Sequence, residues 1–168
     1  MADVIRLIIS DVRADPRNPK GILLCILYRL AHSVILFPKW ILPLGYIIIL
    51  MYKLITEYIL GSEIHWRATI GKSFRVYHGY GLVVHSGAVI GDGCILRHGV
   101  TIGSKIVSGT LRSPLIGNNV DVGVGALIIG GYNIGDNAKI GAGTVVVSDV
   151  PQGATVVGNP GRILSSGI

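Results

Sequence analysis

Charge is scarce in this 168-residue chain: only 14% of residues are Asp, Glu, Lys or Arg. No run of Lys and Arg occurs, which argues against a nucleic-acid partner. The formal net charge of +6, spread over both halves, suits an anionic small ligand or a phospholipid surface. Cysteine occurs twice, at Cys25 and Cys94, in unrelated contexts. Neither a CxxC pair nor a disulfide framework is available, which fits a reducing cytoplasm and two small packed side chains. The opening MADVIRLIISDVRAD carries acids early and lacks the pattern of a cleavable signal. The longest strongly apolar stretch without charge, WILPLGYIIILMY at 40–52, has 13 residues and a proline. About 20 are needed to cross a bilayer, so a span is not expected. Aromatics make up only 7%, whereas Gly numbers 24 and half the chain is hydrophobic. Glycine without a collagen period, set among Val and Ile, indicates a Gly-punctuated β architecture.

Two segments with different periods follow. Residues 1–61 read as helical. Asn18-Pro19 supplies a cap and a first-turn proline for KGILLCILYRLAHSVI, which should stop before Pro38. Pro43 opens LGYIIILMYKLITEYIL, closed by Gly61. These helices are apolar around most of their circumference, so they must pack on several sides or rest against lipid.

From residue 62 to 168 the period becomes six. Aliphatic residues recur at Ile64, Ile70, Val76 and Leu82, then after a two-residue slip at Val84, Ile90, Leu96 and Ile102. A third run covers Ile116, Val122, Ile128, Ile134, Ile140 and Val146, often followed by Gly as in IGDGCI and IGAGTV. Hexads of this kind specify a left-handed parallel β-helix, with the aliphatic residue inward and three hexads per coil. The slip is expected at Leu82–Val83. Ser104–Pro114 lacks the inward pattern and reads as a loop extruded for binding. DVPQGATVVGNPGRIL should close the last coil.

The same register places His78 and His98 at matching positions on adjacent coils, about 4.8 Å apart. Three roles are open to this pair. One is a pair of plain surface imidazoles with no chemistry. Metal binding needs a third ligand in register, and none is present. A general base needs an imidazole beside a cleft and a carboxylate to orient it. His85 falls elsewhere on the prism and reads as surface.

Several motifs taken together resemble the hexapeptide-repeat acyltransferases, in the serine O-acetyltransferase branch. YRLAHSV (28–34) is similar to that branch's YR-x-x-H motif, and EIHWRATIG (63–71) to its D-I-H-P-x-A-x-I-G entry into the first coil. VYHGYGLVV (76–84) resembles L-D-H-A-T-G-I-V-I, and IGAGTVVVSDVP with VVGNPGRIL resembles its ending. The resemblance implies acetyl-CoA as co-substrate, no metal, and His78 as the catalytic base. It also implies Glu63, fifteen residues earlier, as the carboxylate that orients His78. Gly103, Gly123, Ala126, Gly141, Ala142 and Arg162 would line an acetyl-CoA groove between prisms of a homotrimer. Pairing of trimers through the helices stays open.

Two departures redirect the acceptor. The family's R-H-P loop is Arg112-Ser113-Pro114 here, and Tyr77 replaces the aspartate before the base. Both lost groups hold serine's zwitterion in the family, and losing buried polar partners shifts specificity strongly. YHGYG and RHGVTIG instead resemble the colanic-acid and capsule O-acetyltransferases. Tyr77, Tyr80, His98 and Arg112 become acceptor-binding candidates, because aromatic faces suit a sugar ring. The expected function is acetyl transfer to a sugar hydroxyl in surface-polysaccharide biosynthesis. Serine O-acetylation and a non-catalytic trimeric scaffold are the alternatives. The apolar helices would suit a cytoplasmic enzyme held at the inner face of the membrane.

Overall fold

The computed structural model describes residues 2–165; Met1 and residues 166–168, the ends of the two expected segments, lie outside it. Three helical stretches precede a parallel β-helix. They are α1 (Ala2–Ala14), α2 (Pro19–His32) with a 3-10 turn at Ser33–Leu36, and α3 (Leu42–Lys53). A 3-10 turn at Lys39–Ile41 leads into α3, and a π-helical stretch at Leu54–Ile59 continues it. Asn18 caps α2 by accepting from the Gly21 N–H at 3.0 Å, with Pro19 in the first turn. Gly61 (φ +62°) turns the chain into the first strand.

Three parallel sheets form the prism. The first face stacks Ser62–Ile64, Leu82–Val84, Thr101–Gly103, Leu127–Ile129 and Val145–Val146. The second stacks Thr69–Ile70, Val89–Ile90, Leu115–Ile116 and Asn133–Ile134. The third stacks Arg75–Tyr77, Ile95–Arg97, Asp121–Val122, Lys139–Ile140 and Thr155–Val157, and Arg162–Ser165 closes it antiparallel. The aliphatic residues of all three expected runs are buried.

A second inward column lies four residues after the hexad position: Ala68, Phe74, Ala88, Cys94, Val100, Val120, Ala126, Ala138 and Ala154 are all buried. Leu82 belongs to this column, because it stands eighteen residues before Val100, and Val83 pairs with Thr101 at that same offset. The slip is therefore not at Leu82–Val83. Tyr77 still pairs with Arg97, twenty residues on, whereas Gly99 already donates to the Tyr80 carbonyl at 2.8 Å. The two additional residues thus fall within His78–Tyr80, in the corner between the third and first faces.

The extruded segment is a β-hairpin, Lys105–Val107 against Thr110–Arg112, exposed throughout. Ile102 to Ile116 is one hexad plus eight residues, since pairing across this coil runs at an offset of twenty-six, as in Ile102↔Ile128. The hairpin leaves the corner between the first and second faces.

The YR-x-x-H motif docks the helices onto the first coil. Tyr28 OH donates to the Ala68 carbonyl (2.6 Å) and Arg29 Nη1 to that of Ile70 (2.6 Å). His32 Nδ1 donates to the carbonyl of Trp66 (2.8 Å). Asp11 from α1 pairs with Arg29 Nε (2.9 Å) and accepts the Phe74 N–H (2.9 Å). This coil has no preceding coil on its α2 side, so side chains satisfy backbone groups that would otherwise be buried unpaired.

Candidate active site

His78 is presented by an irregular corner. It adopts φ +66°, a left-handed conformation costly for a side chain bearing Cβ, and is followed by Gly79 (φ +70°) and Gly81 (φ +65°). The bulge is held from within. Ser62 Oγ donates to the Gly79 carbonyl (2.7 Å), and a Cβ on Gly79 would meet Leu24 Cδ1 at 2.7 Å. The result is an exposed imidazole on a corner fixed by the helices and the first strand.

His98 is half-buried one coil along, and the two rings meet edge to face at 5.6 Å and 75°. Its Nδ1 is buried and has no hydrogen-bond partner, so the corner holds an unspent polar atom pointing to a ligand. Tyr77 and the exposed Tyr80 flank the pair. Arg97, hydrogen-bonded to the Asp121 carboxylate, lies 5.9 Å from the Tyr77 ring, and that carboxylate holds its pKa above the ordinary guanidinium value. Lys20 Nζ sits over the Tyr80 ring at 2.8 Å, without a hydrogen-bond partner. Lys20 and Arg97 thus lie beside the two tyrosines, with the Asp121 carboxylate paired to Arg97.

Glu63 is exposed on the first strand, and among the described residues it makes no hydrogen bond with His78. The expected carboxylate–imidazole pair is thus not formed in the single chain, because His78 projects outward from a bulge while Glu63 lies mid-strand. Arg112 is separated from His78 more completely. It lies on the hairpin at a different corner, against Gly131, where a Cβ would touch Arg112 Cβ at 2.8 Å. Gly103 is at the base of that hairpin, paired with Ile129.

The remaining cofactor candidates follow the His78 corner down the prism. Gly125 donates to the His98 carbonyl (3.0 Å) and Gly143 to the Val124 carbonyl (2.7 Å), so Tyr80, His98, Val124 and Ala142 form one column. Gly123 and Gly141 are packing requirements in this column. A Cβ on Gly123 would meet Ala142 N at 2.6 Å, and one on Gly141 would meet Val157 Cγ1 at 2.8 Å. Ala126 is a correction to the sequence reading. Its methyl faces the core at 0% exposure and its N–H and carbonyl are both hydrogen-bonded, so it offers a ligand nothing. Ala142 is exposed, and Arg162 is exposed on the closing strand beyond it.

His85 was legible only as surface, yet it is half-buried. Its Nδ1 accepts from the Gly87 N–H (3.1 Å) and from Ser104 Oγ (2.5 Å), and Ser104 Oγ meets Ser113 Oγ at 2.8 Å. This chain ties the two ends of the hairpin to the prism; Ser104 and Ser113 bracketing an insertion was the signal. No group of three or more His, Cys, Asp or Glu suited to a metal occurs among the described residues.

No family model matches the chain. An Escherichia coli K12 protein, the acetyltransferase WcaB, whose name assigns it to colanic acid biosynthesis, is 36% identical over 162 residues, covering 92% of this chain and 97% of its own. The soybean serine acetyltransferase apoenzyme superposes with a TM-score of 0.84 at 35% identity, over 98% of this chain and 70% of that one. Serine acetyltransferase from Brucella abortus strain S19, solved in complex with coenzyme A, gives 0.81 at 32%, over 97% and 68%. Fold and relatives agree: the chain belongs to the serine acetyltransferase-like hexapeptide acyltransferases, a family of acetyl-CoA-dependent O-acetyltransferases.

Proposed function

We propose that the protein moves acetyl from acetyl-CoA to a sugar hydroxyl during surface-polysaccharide biosynthesis, with His78 as general base. The observation that carries this reading is the exposed His78 beside His98, flanked by Tyr77 and Tyr80 where serine recognition would need a carboxylate. Aromatic rings stack on the apolar faces of pyranoses, and their hydroxyls hydrogen-bond to the edges. The likeness to WcaB over nearly the whole of both chains supports the same acceptor class.

In the proposed step, the His78 imidazole takes the proton of the acceptor hydroxyl as its oxygen attacks the thioester carbonyl. The tetrahedral oxyanion collapses, the C–S bond breaks, and the CoA thiolate takes the proton back from His78. Acetyl-CoA would lie along the corner column from His78 past Val124 and Ala142 toward Arg162, whose charge suits its phosphates. Five inter-strand steps of about 4.8 Å separate the strand before His78 from the strand of Arg162, roughly 24 Å, the scale of an extended coenzyme A. Arg112 reaches such a site only from another copy, since its hairpin leaves a different corner of the prism; we therefore read the active unit as a homotrimer with sites between prisms.

Serine acetylation is the second reading, favoured by the close superposition on serine acetyltransferases. CoA release measured with serine and with purified oligosaccharides separates the two. Turnover with oligosaccharide and not serine supports the sugar acceptor, and sugar-independent turnover with serine refutes it.

A further inference from the structure

Lys39 to Ile59 forms one continuous helical stretch of 21 residues, and an 18-residue window within it has mean hydropathy 1.4 and is only 17% buried. The 13-residue apolar run in the sequence understated it, because the helix continues through Lys53 and Glu57. Only Gly45, Ile49, Tyr52 and Thr56 are fully buried, a narrow stripe at spacings of four and three, with Leu42, Ile48 and Ile55 half-buried beside it. Trp40, Leu44, Ile47, Met51, Leu54 and Tyr58 face away, with Trp40 and Tyr58 each 80% exposed.

This helix cannot cross a bilayer while keeping its contacts. Its middle is clamped to the prism by Tyr52 OH donating to the Ile64 carbonyl at 2.5 Å. The elements on either side bind the same coil, His32 to Trp66 before it and Ser62–Ile64 to Leu82–Val84 after it. The helix must lie flat. A second copy would cover a narrow seam between polar flanks, whereas here the apolar surface continues around most of the circumference. An aromatic residue sits at each end, the pattern of side chains seated at headgroup level. The adjoining cations are Lys39, Lys53 and Arg67, all exposed; of the acids, Glu57 pairs with Lys53 at 3.5 Å and Glu63 is exposed on the first strand. A cleft of about 500 Å³ between Val34, Leu42, Tyr46 and Trp66 includes Arg67 in its lining.

We propose that this face seats the enzyme on an anionic bilayer, with the helix in the interfacial layer and Lys39, Lys53 and Arg67 against lipid phosphates. The proposal goes beyond the acetyl-transfer reading and stands whether or not the acceptor is a sugar. The test is flotation of the full-length protein with phosphatidylcholine vesicles, with and without phosphatidylglycerol. Wild type should float with the anionic vesicles and more weakly with phosphatidylcholine alone or in raised salt. The variant Leu44→Ser/Ile47→Ser/Met51→Ser, altered only at exposed positions, should partition roughly 100-fold less while keeping its circular dichroism and CoA release. Absence of wild-type flotation with any vesicle overturns the proposal, as does equal flotation of the variant. A vesicle-free wild-type particle of twice the variant's mass by light scattering, without flotation, assigns the face to a second copy instead.

Discussion

His78 and His98, twenty residues apart on adjacent coils, meet edge to face at 5.6 Å. Gly99 donates to the Tyr80 carbonyl while Tyr77 pairs with Arg97, so the two-residue insertion falls between Tyr77 and Gly81, where His78 stands at φ +66°. A side chain at such an insertion is separated from the packing that holds the coils, so the proposed base can take up a strained, exposed position. In the proposed site, the unpartnered Nδ1 of His98 is available to hold the acceptor. His98→Phe should keep ring packing and lose about 1 kcal/mol of transition-state binding, roughly fivefold in kcat/KM. An unchanged kcat/KM would remove His98 from the site.

The helix-docking pair Asp11–Arg29 is buried, at 3% and 2% exposure. Arg29→Met leaves the Asp11 carboxylate without its partner in a dry site, and also frees the Ile70 and Gly71 carbonyls. The expected loss is about 3–5 kcal/mol in urea unfolding, larger than for any surface charge. A change below about 1 kcal/mol would show that the pair is dispensable for docking.

Both thiols should be inert in the native state. Burial pushes Cys25 up to about 12 and Cys94 up to about 11. The thiolate is the reactive form, so a disulfide reagent at neutral pH should modify neither until the chain unfolds. Because these folded pKa values lie above the unfolded ones, the native state loses stability as pH rises past about 9. Rapid native-state labelling of either cysteine would contradict the packing described.

Partial burial, with Arg67 and His85 nearby, lowers the pKa of His65. The unfolded chain therefore binds a proton first as pH falls, and stability is lost below the ordinary histidine value near 6.5. His65→Gln should flatten the dependence of Tm on pH between about 7 and 5. A slope equal to wild type would assign the effect elsewhere.

Much of the prism was legible because each inward aliphatic recurs at six residues, and burial follows that register from Ile64 to Val146. The slip was misplaced because Leu82 and Val84 are both inward, and period alone cannot say which of them continues the run. The second column, with Cys94 and Ala126 in it, was missed because small residues carry little hydrophobic signal. It is also why Ala126 was misread as a ligand contact. The hairpin was visible as a broken period, but its strands were not, since an exposed two-stranded ribbon has no buried face to pattern it. Arg112 could be placed on a loop and not near His78, because the distance between corners is a property of the assembled prism.

The account rests on His78, and its most direct test is CoA release by His78→Ala with acetyl-CoA and an oligosaccharide acceptor. The account predicts that kcat falls by about 10²–10⁴-fold while circular dichroism and oligomer mass stay those of wild type. Turnover near the wild-type rate in that variant would contradict it and move the base elsewhere.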